Sequence, residues 1–248
     1  MSFAEQLLKA YFNYIYNPVY DATTARLHHY HELQAKCISL LGLNDEDKVL
    51  CVGVGTGNEI MGISQANCSV EIVGIDYSTT ALQKARRKAR NSGRPVDLRT
   101  MDAQQLQFPN GSFDRVICFH VMDFVPDCQR VSSEIMRVLK HGGQFLITYP
   151  SKKEGTKLAF NLLKDGIGCK TSRRRYFMEL MMLLTLGAVY QPLLFRPGRK
   201  EYSREQLRDM FFTLSTEMFH IEEDPVYQDF IVYGRKLGGG KIINATRG

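Results

Sequence analysis

A glycine-rich run, Gly53-Val54-Gly55-Thr56-Gly57-Asn58-Glu59, follows a short apolar stretch and precedes a segment that reads as helix. Glycines at alternate positions permit a tight turn and a close approach of backbone to a ligand. The N-terminus of the following helix favours an electronegative group. The spacing is not that of a dinucleotide fingerprint, because the third glycine, counted from Gly53, would stand at position 58, which is Asn. Two acids close later apolar runs. Asp76, in Val73-Gly74-Ile75-Asp76-Tyr77-Ser78, lies 21 residues past Gly55, where a carboxylate can accept both hydroxyls of a ribose. Asp102-Ala103 ends the next run. His120 offers an imidazole able to take a proton near neutral pH, and Asp123 is a second acid close to it in sequence. His28, His29 and His31 form a cluster in sequence, but only 28 and 31 share a helical face. No further ligand stands at a metal spacing, so these histidines read as solvated or hydrogen-bonded.

The elements that must position these groups alternate. Apolar runs at 48–53, 70–75, 96–101, 115–119 and 144–149 read as strands. Helical patterns at 79–91, with Ser78 as its cap, and at 130–139, ended by Gly142-Gly143, stand between them. Strands alternating with helices give βαβ units, a parallel sheet and right-handed crossovers. Ligands of such sheets bind at the carboxyl ends of the strands, where the glycine run and the two acids fall.

The Gly53/Gly55/Gly57 spacing, Asp76-Tyr77, Asp102-Ala103, the stretch 108–127 (FPNGSFDRVICFHVMDFVPD) and 134–143 together resemble the class I S-adenosylmethionine (SAM)-dependent methyltransferases. The second half of the match is most similar to the small-molecule, ubiquinone/menaquinone-biosynthesis-like (type 11) group. The resemblance covers residues 48–150 and implies a Rossmann-like α/β fold. Its expected form is a seven-stranded, mostly parallel sheet with an antiparallel C-terminal strand, a helical N-terminal lid (1–47) and a helical substrate-side insertion (151–208). It implies SAM as cofactor, held by Gly53, Gly55, Gly57, Asp76, Tyr77, Asp102, Ala103 and Phe119. It implies His120 as the base candidate, with Asp123 as alternative. Tyr16 and Tyr20, in the segment YNPVYD, would stand near the sulfonium. One position departs from the pattern: where the family carries an acid two residues before the first glycine, this chain has Cys51. A thiol cannot supply the same charge to the methionine end of the cofactor.

The remaining sequence bears on the acceptor. The chain of 248 residues carries a formal charge of +6, and 44% of it is hydrophobic, which excludes disordered and collagen-like classes. Residues 1–47 are −3, 48–150 are +3, and 151–208 hold 13 Lys+Arg against 5 Asp+Glu, or +8. That basic segment includes Arg173-Arg174-Arg175 and runs into YFMELMMLLTL, so Arg174 and Arg175 are substrate-side candidates beside an apolar helix. The apolar stretch is interrupted too often to span a membrane, and contact with a membrane surface stays open. Six cysteines without a C-x-x-C pair read as free thiols, and the N-terminus lacks the features of a signal peptide, so a cytoplasmic location is expected. One domain is expected, with a C-terminal strand pair within 209–237 around Asp224-Pro225 and a helix capped by Ser203 and Gln206. N-terminal helices are expected at 3–16, ended by Pro18, and at 24–41. The expected acceptor is a small lipophilic or aromatic molecule that carries an anionic group. Two alternatives stand beside it: a nucleic-acid methyltransferase and a SAM-binding domain without catalysis. Against nucleic acid, Lys84, Arg86, Arg87, Lys88 and Arg90 scatter round an outer helix and no RNA-binding module is present. A homodimer remains compatible with all three readings.

Overall fold

A computed structural model describes residue 7, residues 10–24, 28–66, 68–93, 95–151, 199–214 and 216–238, and scattered residues between 174 and 189. The elements are α1 (Asn17–Thr24), α2 (His28–Leu40), β1 (Lys48–Val52), α3 (Asn58–Gln65), β2 (Glu71–Asp76), α4 (Thr79–Ser92), β3 (Val96–Thr100), β4 (Phe113–Cys118), α5 (Cys128–Val138), β5 (Leu139–Tyr149), α6 (Arg204–Thr213), β6 (Thr216–Glu223) and β7 (Phe230–Lys236). A π-helical turn, Phe12–Tyr16, leads into α1.

Seven strands form one sheet in the order β3-β2-β1-β4-β5-β7-β6. The pairs among β1 to β5 are parallel, and β7 runs antiparallel to both β5 and β6. This is the Rossmann-like architecture that the resemblance implied. Alternation along the strands decides the layers, because successive side chains point to opposite faces. Leu50, Val52, Val116, Phe145 and Ile147 join one apolar cluster, closed by Val131 and Ile135 of α5 and by Leu207 and Phe211 of α6. Val49, Cys51, Ile72, Ile117 and Leu146 join the other, closed by Leu33 and Ile38 of α2, Ile60 and Ile63 of α3, and Leu82 and Ala85 of α4. Both faces of the central strands are therefore covered, as their unbroken apolar runs require. Strand order reverses between β1 and β4, so the crevice for a ligand opens above their carboxyl ends.

The caps read from sequence are present. Ser78 Oγ accepts from the Ala81 N–H, and Ser203 with Gln206 forms a reciprocal capping box. Two expectations are corrected. Pro18 does not end the N-terminal helix: it sits in the first turn of α1, after the π turn in which the Asn17 N–H reaches back to the Phe12 carbonyl. In a regular helix the proline ring would meet the carbonyl four residues back, and the wider π turn relieves that clash. Gly142-Gly143 does not end α5, which stops at Val138 and passes directly into β5. The glycines instead form a bulge, across which the register to β4 jumps from Phe113↔Leu139 to Arg115↔Gln144. Gly142 has φ +75°, a conformation that a side chain would oppose. Among the described residues no helix is long and apolar enough to cross a membrane.

Candidate functional site

A cavity of about 530 Å³ opens at the strand-order reversal. Its floor is the loop after β1. Gly53 has φ +66°, and a Cβ there would lie 2.4 Å from Val121 Cγ2. Gly55 has φ +51°, and a Cβ there would meet nothing nearer than the Gly53 carbonyl at 3.9 Å, so its missing side chain leaves room for a ligand. Gly57, the third glycine, does not line the cavity. Its φ of +89° and the 3.0 Å a Cβ would leave to Ala85 make it the position that seats α3 against α4.

At one end stands Asp76. Its Oδ2 accepts the Gly55 N–H at 2.8 Å and its Oδ1 the Ser78 N–H at 2.7 Å. Burial raises its pKa, while the N–H groups of Ser78, Gly55 and Tyr77 pull it back. Tyr77, Asp102 and Ala103 line the same end, and Asp102 Oδ1 is steadied by the Gln104 N–H at 2.8 Å.

Phe119 and His120 close the end of β4, their rings stacked at 4.1 Å. His120 has φ +53°, a strained position for a non-glycine residue, and its N–H is held by Thr148 Oγ1 at 2.7 Å. Burial lowers its pKa to about 4, so the imidazole is neutral at pH 7. Nε2 lies 3.2 Å from Asp229 Oδ2, within ion-pair range but without hydrogen-bond geometry.

The roof comes from the N-terminal segment. Phe12 meets Phe124 edge-on at 5.0 Å, and Tyr16 stacks on Tyr20 at 5.4 Å. Tyr20 donates to the Tyr30 hydroxyl at 2.9 Å. Polar contacts fasten this roof to the glycine loop and to α4. Ser78 Oγ donates to Asn13 at 2.6 Å, Thr56 donates to Asp21, and Lys88 Nζ donates to Asp21 at 3.0 Å and to Asn58 at 2.6 Å. Lys84 approaches Asp21 at 3.7 Å, and Arg86 donates to the Leu98 carbonyl. Three of the basic side chains of α4 thus serve internal contacts.

The fold brings together Tyr16, Tyr20, Gly53, Gly55, Asp76, Tyr77, Asp102, Ala103, Phe119 and His120 around this cavity. It places Asp123 elsewhere: that side chain is buried and lies 3.3 Å from Arg199 Nε, which also has Glu201 at 2.7 Å from its Nη1. Arg174 is exposed and does not line the cavity, and Arg175 lies outside the described residues. Cys51 is buried among apolar neighbours rather than in the cavity wall, and burial pushes its thiol pKa up. Sequence reasoning missed Glu59, Phe124 and Asp229. Glu59 reads as an acid that favours a helix N-terminus, and only tertiary packing shows that it is 7% exposed and lines the cavity.

Comparison with known proteins agrees with this geometry. A family model described as a methyltransferase domain matches residues 50–147. A phosphatidylethanolamine N-methyltransferase of Cereibacter sphaeroides is 41% identical over 102 residues, which are 40% of this chain and 49% of that protein. A ubiquinone/menaquinone biosynthesis C-methyltransferase of Citrifermentans bemidjiense is 34% identical over 177 residues, 66% of this chain and 75% of that protein. Against several curated relatives the match spans about half of their length. Among solved structures, a SAM-dependent methyltransferase of Thermotoga maritima, described as a possible histamine N-methyltransferase, superposes with a TM-score of 0.62 at 17% identity, over 92% of this chain and 98% of that one. The glycine loop and the oriented acid that closes β2 lie within the 50–147 match, one curated relative is matched over three quarters of its length, and the chain belongs to the class I SAM-dependent methyltransferases.

Proposed function

We propose that the chain binds SAM in the 530 Å³ cavity and transfers its methyl group to a small lipophilic or aromatic acceptor that carries an anionic group. The observation that carries this reading is the two-sided character of the cavity: oriented carboxylates at one end and aromatic rings at the other. The residues fit the cofactor. Gly55 leaves space for close backbone approach, Gly53 lets the loop turn against Val121, Asp76 would hold the ribose hydroxyls, and Tyr77 with Asp102 and Ala103 would hold the adenine. Bound SAM supplies an electrophilic methyl on a sulfonium. The chain's own part is alignment and exclusion of water by Phe12, Tyr16, Tyr20 and Phe124.

His120 fits the role of base for an acceptor that arrives protonated. It is neutral at pH 7, it lines the cavity, and the negative charge of Asp224 favours the imidazolium that would form, with Asp229 Oδ2 3.2 Å from Nε2. The whole chain acts in this reading as one methyltransferase domain with 1–47 as lid; the basic substrate-side insertion expected over 151–208 lies for the most part outside the described residues.

Calorimetry with SAM and S-adenosylhomocysteine tests the cofactor assignment, and binding of both in the micromolar range is expected. Absence of binding for either would sink it. For the base, His120→Ala should lower turnover of a phenolic acceptor by about 10²-fold or more with unchanged cofactor affinity. Full turnover in that variant would remove His120 from the role. Strong salt-sensitive association with tRNA would favour a nucleic-acid acceptor instead.

A further inference from the structure

Resting on the assignment of SAM to the cavity, we infer that Glu59 supplies the negative charge that holds the α-ammonium group of the cofactor's amino-acid end. Among the described residues three acids line the cavity: Asp76, Asp102 and Glu59. Asp76 closes β2 and Asp102 follows β3, at the end suited to ribose and adenine. Glu59 is the second residue of α3, on the other side of the glycine loop, and Cys51, two residues before that loop, stays out of the cavity wall. Glu59 lines the cavity together with Tyr20 of the roof and with Phe119 and His120, which stand at the end of β4 and mark the reacting end.

Asp76 already accepts backbone N–H groups. Among the described residues, Glu59 takes only its own backbone N–H. Lys88, the cation that reaches it electrostatically, is hydrogen-bonded to Asp21, Thr56 and Asn58. A carboxyl 7% exposed, facing a cavity and with no ion-pair partner among the described residues, is poorly stabilised as an anion until a cationic ligand arrives. Burial holds its pKa up at about 7, opposed by its own N–H and Lys88 and reinforced by Asp76 and Asp21. An ammonium group beside it would draw the proton off, so ligand binding and proton release are linked.

The experiment titrates the full chain with S-adenosylhomocysteine and with 5′-methylthioadenosine, which keeps the adenosine and thioether but lacks the amino-acid end. In the wild type at pH 6.5, calorimetry in buffers of different ionisation heat should show proton release with the first ligand and none with the second. Glu59→Gln should weaken the first ligand at least about tenfold and the second less than about twofold. Equal loss for both ligands, or no loss, overturns the inference and leaves the cofactor assignment standing. Wild type that binds neither ligand overturns both. If Glu59→Gln does not fold, Glu59→Met takes its place: a loss confined to S-adenosylhomocysteine supports the inference, and equal loss for both ligands, or none, overturns it.

Discussion

Glu59 and His120 sit in one cavity, and the same burial moves them in opposite senses. Glu59 goes from 4.5 to about 7, so the folded state prefers it protonated. Its contribution to stability is fully present below pH 4.5 and is lost as pH rises through 7. The anion costs up to about 3 kcal/mol. His120 goes from 6.5 to about 4, so the folded state prefers it neutral, and stability falls as pH drops from 6.5 toward 4. Between pH 4.5 and 6.5 the two slopes oppose each other. Glu59→Gln removes only the first. The ligand-free variant is therefore expected to exceed the wild type in unfolding free energy by about 1–3 kcal/mol at pH 8, with the gap closing by pH 5. Chemical denaturation at the two pH values measures this. A wild type more stable at pH 8 would mean that Glu59 is a satisfied structural anion. Both residue types were readable in the sequence, but burial, which sets their charge, was not.

At the scale of elements, the N-terminal roof is fastened by few polar contacts. Asp21 of α1 receives Thr56 and Lys88, with Lys84 at 3.7 Å, and Asn13 receives Ser78. Lys88→Met should loosen α1 without melting the sheet. Amide exchange over residues 17–24 is expected to speed up by about 5- to 30-fold, corresponding to about 1–2 kcal/mol of local stability, while exchange in β1 and β4 stays unchanged. Uniform acceleration across the sheet would show that Lys88 supports the global fold instead. The element boundaries from sequence fell within a few residues of those found. The exceptions lie where backbone geometry answers to neighbours. The π turn before Pro18 and the glycine bulge in β5 both depend on contacts that periodicity does not encode.

At the scale of the molecule, the last strand in sequence is not the last in the sheet. β7 lies between β5 and β6 and hydrogen-bonds to both, so its seven residues bridge the parallel sheet and the edge. Ile231 and Val232 are fully buried and lie in opposite clusters, one on each face. A chain stopped after Glu223 would expose the edge of β5 and leave β6 without a partner. It is expected to lose cooperative thermal unfolding, read by circular dichroism. A sharp transition near that of the full chain would contradict this.

The sequence by itself determined the βαβ order, the glycine loop, Asp76 and Asp102 at strand ends, and the family resemblance, because each is a local spacing that strand and helix periods translate directly. Tertiary structure alone decided which of these residues share a cavity. It gave Gly57 a packing position and Asp123 an ion pair with Arg199, and it turned α4's lysines toward Asp21. It also brought Glu59 and Asp229 to the site. Those outcomes depend on contacts between segments far apart in the chain and on the low polarity of the space they enclose, neither of which residue spacing records.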